Sequence, residues 1–67
     1  MQISGRNQLE AKITDIKRGP VNSEIVMDVG GQVMVSVITT GSTDTLKLSV
    51  GDSVKALVKA SSVMIIK

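Results

Sequence analysis

The chain has 67 residues, which is enough for a single domain spanning residues 1–67. It contains no cysteine, no histidine and no aromatic residue, and its net charge is +2. A Ser–His or Cys–His nucleophile and a zinc or copper site of His and Cys ligands are therefore excluded. The acidic residues lie singly along the chain, without a close carboxylate pair. We predict a protein that is not an enzyme.

Hydrophobic residues make up 42% of the chain, a generous share for this length. A domain of this size buries only about 60% of the surface of its unfolded chain, and this one has no disulfide to compensate. The apolar surplus therefore predicts a subunit interface. The opening Met1–Arg6 has no apolar run typical of a signal peptide, and no segment approaches the roughly 20 apolar residues that span a bilayer. We expect a cytoplasmic protein with no membrane partner.

The first half of the chain shows an alternation of period two. Between Gln8 and Thr14 apolar and polar residues alternate strictly, which is typical of a half-buried strand. Ile16 breaks this alternation, and Arg18-Gly19-Pro20 indicates a turn. A second alternating strand is predicted from Ser23 to Val29.

A hairpin is predicted at Gly30-Gly31, because both central residues of a type I′ turn need positive φ. The third strand, Gln32 to Ile38, carries three valines on one face and Met34 and Ile38 on the other. A strand that is apolar on both faces must be covered on both. In a small single-layer barrel, the second cover has to come from another chain.

The second half predicts a short helical turn within residues 41–48, with a Ser or Thr cap. A turn follows at Val50-Gly51-Asp52, then a fourth strand from Ser53 to Ala60 and, after a break, a last strand from Val63 to Ile66. This order predicts an all-β fold, a five-stranded OB-like Greek-key barrel with one short helical turn. A small SH3-like barrel is the alternative.

Two polar stretches without carboxylates flank the strands. Ser4-Gly5-Arg6-Asn7 precedes the first strand, and Lys59-Ala60-Ser61-Ser62 stands where the fourth strand ends. Their hydroxyl, guanidinium, ammonium and backbone N–H groups are donors suited to an oxyanion. Taken locally, each stretch is more often a solvated turn. An oxyanion site requires the two stretches to meet, within one subunit or between two.

A family resemblance rests on these same stretches. Ser4-Gly5-Arg6-Asn7-Gln8-Leu9 resembles the Ser-Ala-Arg-Asn-Gln-Leu opening of the molbindin (Mop) family, with Gly5 in place of Ala. The segment from Val50 to Ile65, and the turn Gly19 to Asn22, are also similar to that family, so the resemblance covers essentially the whole chain. It implies an OB-like barrel whose N-terminal strand is exchanged between subunits, and a homohexamer assembled as a trimer of dimers.

The resemblance also implies binding of molybdate or tungstate at subunit interfaces, for intracellular storage or homeostasis of molybdenum and without an organic cofactor. The main site would take donors from the opening of one subunit and the closing segment of a neighbour. These donors are Ser4, the Gly5 N–H and Arg6, with Lys59, the Ala60 N–H and Ser61. A second site would draw on Gly19, Val21 and Asn22.

The chemistry of the donor set fits such a ligand. Molybdate is an unprotonated tetrahedral dianion at neutral pH, whereas hydrogen phosphate carries an O–H that would find no carboxylate acceptor. An unsatisfied buried donor costs about 1–3 kcal/mol. Two non-enzymatic alternatives remain: an oligonucleotide-binding OB module, although such modules stack bases on aromatic rings that this chain lacks, and a structural oligomerisation module without a specific ligand.

Overall fold

The computed structural model describes residues 5–67 and is mostly β. Its strands are β1 (Asn7–Arg18), β2 (Asn22–Val29), β3 (Gln32–Thr39) and β4 (Ser53–Val58). Helix α1 (Thr40–Thr45) lies between β3 and β4, and a single 3-10 turn (Ala60–Ser62) follows β4. The strands form one antiparallel sheet in the order β3-β2-β1-β4, so the predicted antiparallel β fold with one short helix is confirmed.

The described residues form four strands rather than the predicted five. The segment Val63–Ile66 is not a strand, and the side chains of Ile65 and Ile66 are 91% and 97% exposed. Strand β4 ends two residues earlier than predicted, and the 3-10 turn then takes the chain out of the ladder. Alternation alone could not reveal this, because a strand needs a hydrogen-bonded neighbour and this segment has none within residues 5–67. The sheet is therefore open.

The break of alternation at Ile16 is a β-bulge. Ile13 pairs with Met27, but the next β1 residue to pair is Asp15, opposite Val26, so one extra residue is accommodated between them. The bulge shifts by one residue which side chains of β1 face the core. As a result, Ile16 lies opposite the buried Ile25. The small core consists of Ala11, Ile13, Ile25 and Met27.

The predicted hairpin between β2 and β3 is present. Gly30 and Gly31 have φ of 59° and 88°, as a type I′ turn requires, and Val29 pairs with Gln32 across the turn. The Met34 face of β3 turns toward the core, opposite Met27. Its other face, the three valines Val33, Val35 and Val37, is exposed.

Strand β1 lies between β2 and β4: residues 7–12 pair with β4 and residues 12–18 pair with β2. Each half of β1 therefore has one edge without a strand partner within residues 5–67, and exchange of this strand between subunits stays an expectation. The edge strands are β3 and β4, and a groove of about 680 Å³ opens between them. Most of its lining is apolar and comes from the core and from residues 54–58. None of the helices in residues 5–67 is long and apolar enough to cross a membrane.

Candidate oxyanion site

The β1–β4 ladder ends where the two donor stretches begin. Its last pair joins Asn7 to Val58, so Arg6 and Lys59 are the next residues on the two strands. Paired Cα atoms lie at most about 5.5 Å apart and consecutive ones 3.8 Å, which places the Cα atoms of Arg6 and Lys59 within about 13 Å of each other. The structure therefore brings both stretches to one edge of the same chain. Ser4 lies outside the described residues.

The segment before β1 is bent and held by Gln8. The Gln8 backbone N–H donates to the Arg6 carbonyl at 3.0 Å, and its side-chain Nε2 donates to the Gly5 carbonyl at 2.8 Å. The first of these bonds closes a γ-turn centred on Asn7, a common device at strand ends. The Arg6 side chain is exposed.

Gly5 packs closely against β4. A Cβ placed on Gly5 would lie 2.7 Å from Cδ1 of Leu57, the residue that pairs with Gln8 across the ladder. The glycine that replaces the family's alanine thus lets the Leu57 side chain cover the Gly5 backbone.

The segment after β4 is ordered by the 3-10 turn. The Ser62 N–H donates to the Lys59 carbonyl at 2.9 Å, and the Val63 N–H donates to the Ala60 carbonyl at 3.3 Å. Within residues 5–67, the N–H groups of Ala60 and Ser61 have no acceptor. Both side chains and that of Lys59 are exposed. This segment presents donors rather than acceptors to solvent.

Within residues 5–67, neither of the two cations at this edge forms an ion pair. The ion pairs found among the described residues are Lys17–Glu24, Arg18–Asp44 and Lys55–Glu10, and none includes Arg6 or Lys59. Two positive charges, one beside β1 and one beside β4, are therefore available to an anion at this end of the ladder.

The residues suggested for a second site lie at the opposite end of β1. The Gly19 N–H donates to the Asn22 carbonyl at 3.0 Å. The Gly19 and Val21 carbonyls accept from the side chain and the backbone N–H of Thr40, at 2.7 and 2.8 Å. These backbone groups hold α1 against the β1–β2 turn. The exposed Asn22 side chain and the exposed Val21 remain at the surface.

Sequence reasoning missed two groups of residues. Gln8 and Leu57, which hold the Gly5–Arg6 segment, carried no functional signal beyond the presence of Gln8 in the family motif. Thr40 and the fully buried Ser23, whose hydroxyls lie 2.8 Å apart, support the β1–β2 turn and could not be paired from sequence, because 17 residues separate them.

The fold and this edge define a small antiparallel β protein with a cationic, donor-rich strand end. The sequence model of the TOBE domain family matches residues 3–65. The chain superposes on a molybdate-binding protein from Sporomusa ovata with a TM-score of 0.96 and 48% identity, covering 100% of both chains. It is 41% identical to a probable molybdenum-pterin-binding protein of Haemophilus influenzae, over 97% of this chain and 96% of that protein. Molybdenum-pterin-binding protein 2 of Clostridium pasteurianum is 39% identical over 98% of both. The chain belongs to the TOBE domain family, and its resemblance to the molbindin group is confirmed.

Proposed function

We propose that this protein binds molybdate, and tungstate by the same chemistry, at the end of the β1–β4 ladder, where Arg6 and Lys59 follow the last pair. The observation that supports the proposal is the end of the β1–β4 ladder at Asn7–Val58, beyond which both chain segments carry a cation without an ion pair and N–H groups without an acceptor within residues 5–67. The proposed ligand set is Ser4, Gly5, Arg6, Lys59, Ala60 and Ser61. Relatives covering the whole chain are named for binding molybdate or molybdenum pterin, which supports the same ligand.

The donor set suits a tetrahedral dianion. Arg6 and Lys59 match its two negative charges, and charge-assisted hydrogen bonds are the strong ones, each contributing about 1.5–3 kcal/mol. The site offers no carboxylate acceptor for the O–H of hydrogen phosphate, so that anion is disfavoured. Sulfate shares the charge of molybdate and lacks a proton, so the size of the closed site must exclude it.

We also propose that the site is completed by assembly into a homo-oligomer, as a hexamer built from three dimers. In a single chain Arg6, Lys59 and Ser61 are exposed, and a neighbour would shield them from water. Exchange of the N-terminal strand is compatible with the free edge that residues 7–11 of β1 leave on the side opposite β4. The apolar segment Val63–Ile66 is a second candidate for the contact, because it is exposed and has no strand partner within residues 5–67, while an apolar groove stands open between β3 and β4.

The function is then binding of an oxyanion for storage or homeostasis of molybdenum, not catalysis. The second site at Gly19, Val21 and Asn22 has weaker support, because its backbone groups are engaged with Thr40. A cytoplasmic location stays an expectation from the sequence.

Titration calorimetry tests the proposal directly. Molybdate and tungstate should bind in a saturable way, with sulfate and phosphate much weaker, and mass spectrometry of the purified protein should find bound molybdenum when cells are supplied with it. A gel shift with single-stranded DNA tests the oligonucleotide alternative. Binding of DNA without binding of either metal oxyanion would replace the proposed function by that alternative.

A further inference from the structure

We propose that Gln8 is a positioning residue for the oxyanion site: its side chain fixes the Gly5–Arg6 peptide so that the Arg6 backbone N–H becomes a ligand donor. The inference rests on the proposed function and adds both a residue and a donor to it. Three observations carry it: two hydrogen bonds, the geometry of the peptide group, and the packing of Leu57.

Gln8 donates hydrogen bonds to two consecutive carbonyl oxygens. Its side-chain Nε2 donates a hydrogen bond to the Gly5 carbonyl at 2.8 Å, and its backbone N–H donates one to the Arg6 carbonyl at 3.0 Å. A carbonyl oxygen carries partial negative charge, so one facing a bound dianion would repel it. Both acceptors of this segment are instead turned toward Gln8.

Because the peptide group is planar, the position of the Gly5 carbonyl determines the direction of the Arg6 N–H. The Gly5 carbonyl and the Arg6 N–H belong to one peptide unit, and none of the peptide bonds in residues 5–67 is cis. In a trans peptide the C=O and the N–H point to opposite sides. With the carbonyl held by Gln8, the Arg6 N–H must point away from Gln8, and it has no acceptor within the described residues.

The Leu57 side chain packs against Gly5, at the start of the same peptide. It pairs with Gln8 across the ladder, and its Cδ1 would come within 2.7 Å of a Cβ on Gly5. The Gln8–Gly5 hydrogen bond is itself exposed, so this contact restricts the position of the Gly5 backbone rather than excluding water from the bond. The Gly5–Arg6 peptide is thus oriented by the Gln8 hydrogen bond, with Leu57 in contact beside it, before any ligand arrives.

The test compares Gln8→Met with Gln32→Met in the full-length protein. Methionine keeps the length of glutamine but cannot donate, and Gln32 is an exposed glutamine at the start of β3 that is not in the proposed ligand set. Calorimetry should show molybdate affinity about fivefold to tenfold lower for Gln8→Met, as expected for one misdirected donor, and unchanged for Gln32→Met. Phosphate affinity should not fall in parallel, because the released Gly5 carbonyl can accept the phosphate O–H.

A merely structural role predicts a different pattern. It would weaken molybdate and phosphate in equal proportion and lower the melting temperature of the ligand-free variant, and that result overturns the inference. So does an affinity for molybdate equal to that of Gln32→Met. In the ligand-free protein, hydrogen exchange at the Gln8 side-chain amide should be slower than at Gln32, and equal rates also overturn it. Failure of the unaltered protein to bind molybdate would instead overturn the proposed function, and slowed exchange at Gln8 would show that the hydrogen bond itself is present.

Discussion

Asn7 of β1 and Val58 of β4 are the last paired residues of their ladder, and this pair determines which side chains face each other beyond it. The register is set further along, where the buried Ala11 lies opposite Val54. A slip of one residue would turn every inward side chain of β4 toward solvent. The packing of the core therefore fixes the proximity of Arg6 and Lys59, and the site depends on residues that never touch its ligand.

The first prediction concerns those two cations. Arg6→Ala and Lys59→Ala should each weaken molybdate binding by roughly 10-fold to 100-fold, because each removes a charge-assisted contact worth about 1.5–3 kcal/mol. Lys55→Ala is the matched control, since it removes the same charge from β4 but lies beside Glu10, away from the ladder end. Calorimetry on the three variants checks the assignment. Equal affinities across the set would show that the cations do not hold the anion.

Much of the fold could be predicted from local pattern. The alternation at residues 8–14, the Gly30-Gly31 hairpin and the break at Ile16 all correspond to observed features, because side-chain period, positive φ and a bulge leave their mark on neighbouring residues. The prediction of a last strand was wrong, because strand formation there depends on a distant partner and not on neighbouring residues. Val63–Ile66 reads as a strand locally, but the partner that would make it one is not in the described chain.

The site was predictable only in part. Arg6 and Lys59 were suggested by residue type and by resemblance, whereas their proximity follows from a ladder register that the sequence does not state. Gln8 was invisible as a positioning residue, because its role depends on a side chain folding back onto the carbonyl three residues earlier. This contact depends on the bend of the backbone at Asn7, and a periodic pattern of apolar residues does not indicate such a bend.

A second prediction concerns the buried hydroxyl pair. Thr40 donates to the Gly19 carbonyl, so the fully buried Ser23 hydroxyl must donate to Thr40. Thr40→Val keeps the shape but leaves that carbonyl and the Ser23 hydroxyl unpaired, which should lower the free energy of unfolding by about 1–3 kcal/mol. Thr45→Val, an exposed position in the same helix, is the control and should cost much less. Urea denaturation measures both, and a loss shared equally by the two variants would contradict the assigned network.

A third prediction concerns pH. The Arg18 guanidinium hydrogen-bonds to Asp44 at 2.7 Å and lowers the pKa of that carboxyl below its ordinary value. A carboxyl with a depressed pKa in the folded state adds stability above its unfolded pKa, about 3.9, and this contribution disappears as pH falls through the folded value. The stability difference between the unaltered protein and Asp44→Asn should therefore be present at neutral pH and vanish in acid.

The ion pair is solvent-exposed, so the effect should be small and reduced by salt. Asp28→Asn, in β2 and away from α1, provides the comparison. Thermal melts across the acid range measure the three proteins. A difference for Asp44→Asn that grows as pH falls would have the wrong sign for this interaction.

A fourth prediction contrasts two glycines. A Cβ on Gly5 would meet only the end of the Leu57 side chain, which is 54% exposed and can rotate away. A Cβ on Gly19 would overlap the backbone oxygen of Asn22, the acceptor of the Gly19 N–H. Gly19→Ala should therefore destabilise the fold clearly, whereas Gly5→Ala should be tolerated. Melting temperatures of the two variants decide the matter, and the reverse order would show that Leu57 is held more rigidly than the turn.

The last prediction tests the assembly. If Val63–Ile66 is buried in a groove of a second copy, a charge placed there must be desolvated or expelled, and either outcome opposes association. Ile65→Lys should reduce the particle size in sedimentation and lower molybdate affinity together, because the site would lose the neighbour that shields it. Val50→Lys introduces the same charge at an apolar turn residue that is 62% exposed, and it should leave both properties unchanged. An Ile65→Lys protein with the unaltered particle size would exclude this segment from the interface, and the open edges of β3 and β4 would then need a different partner.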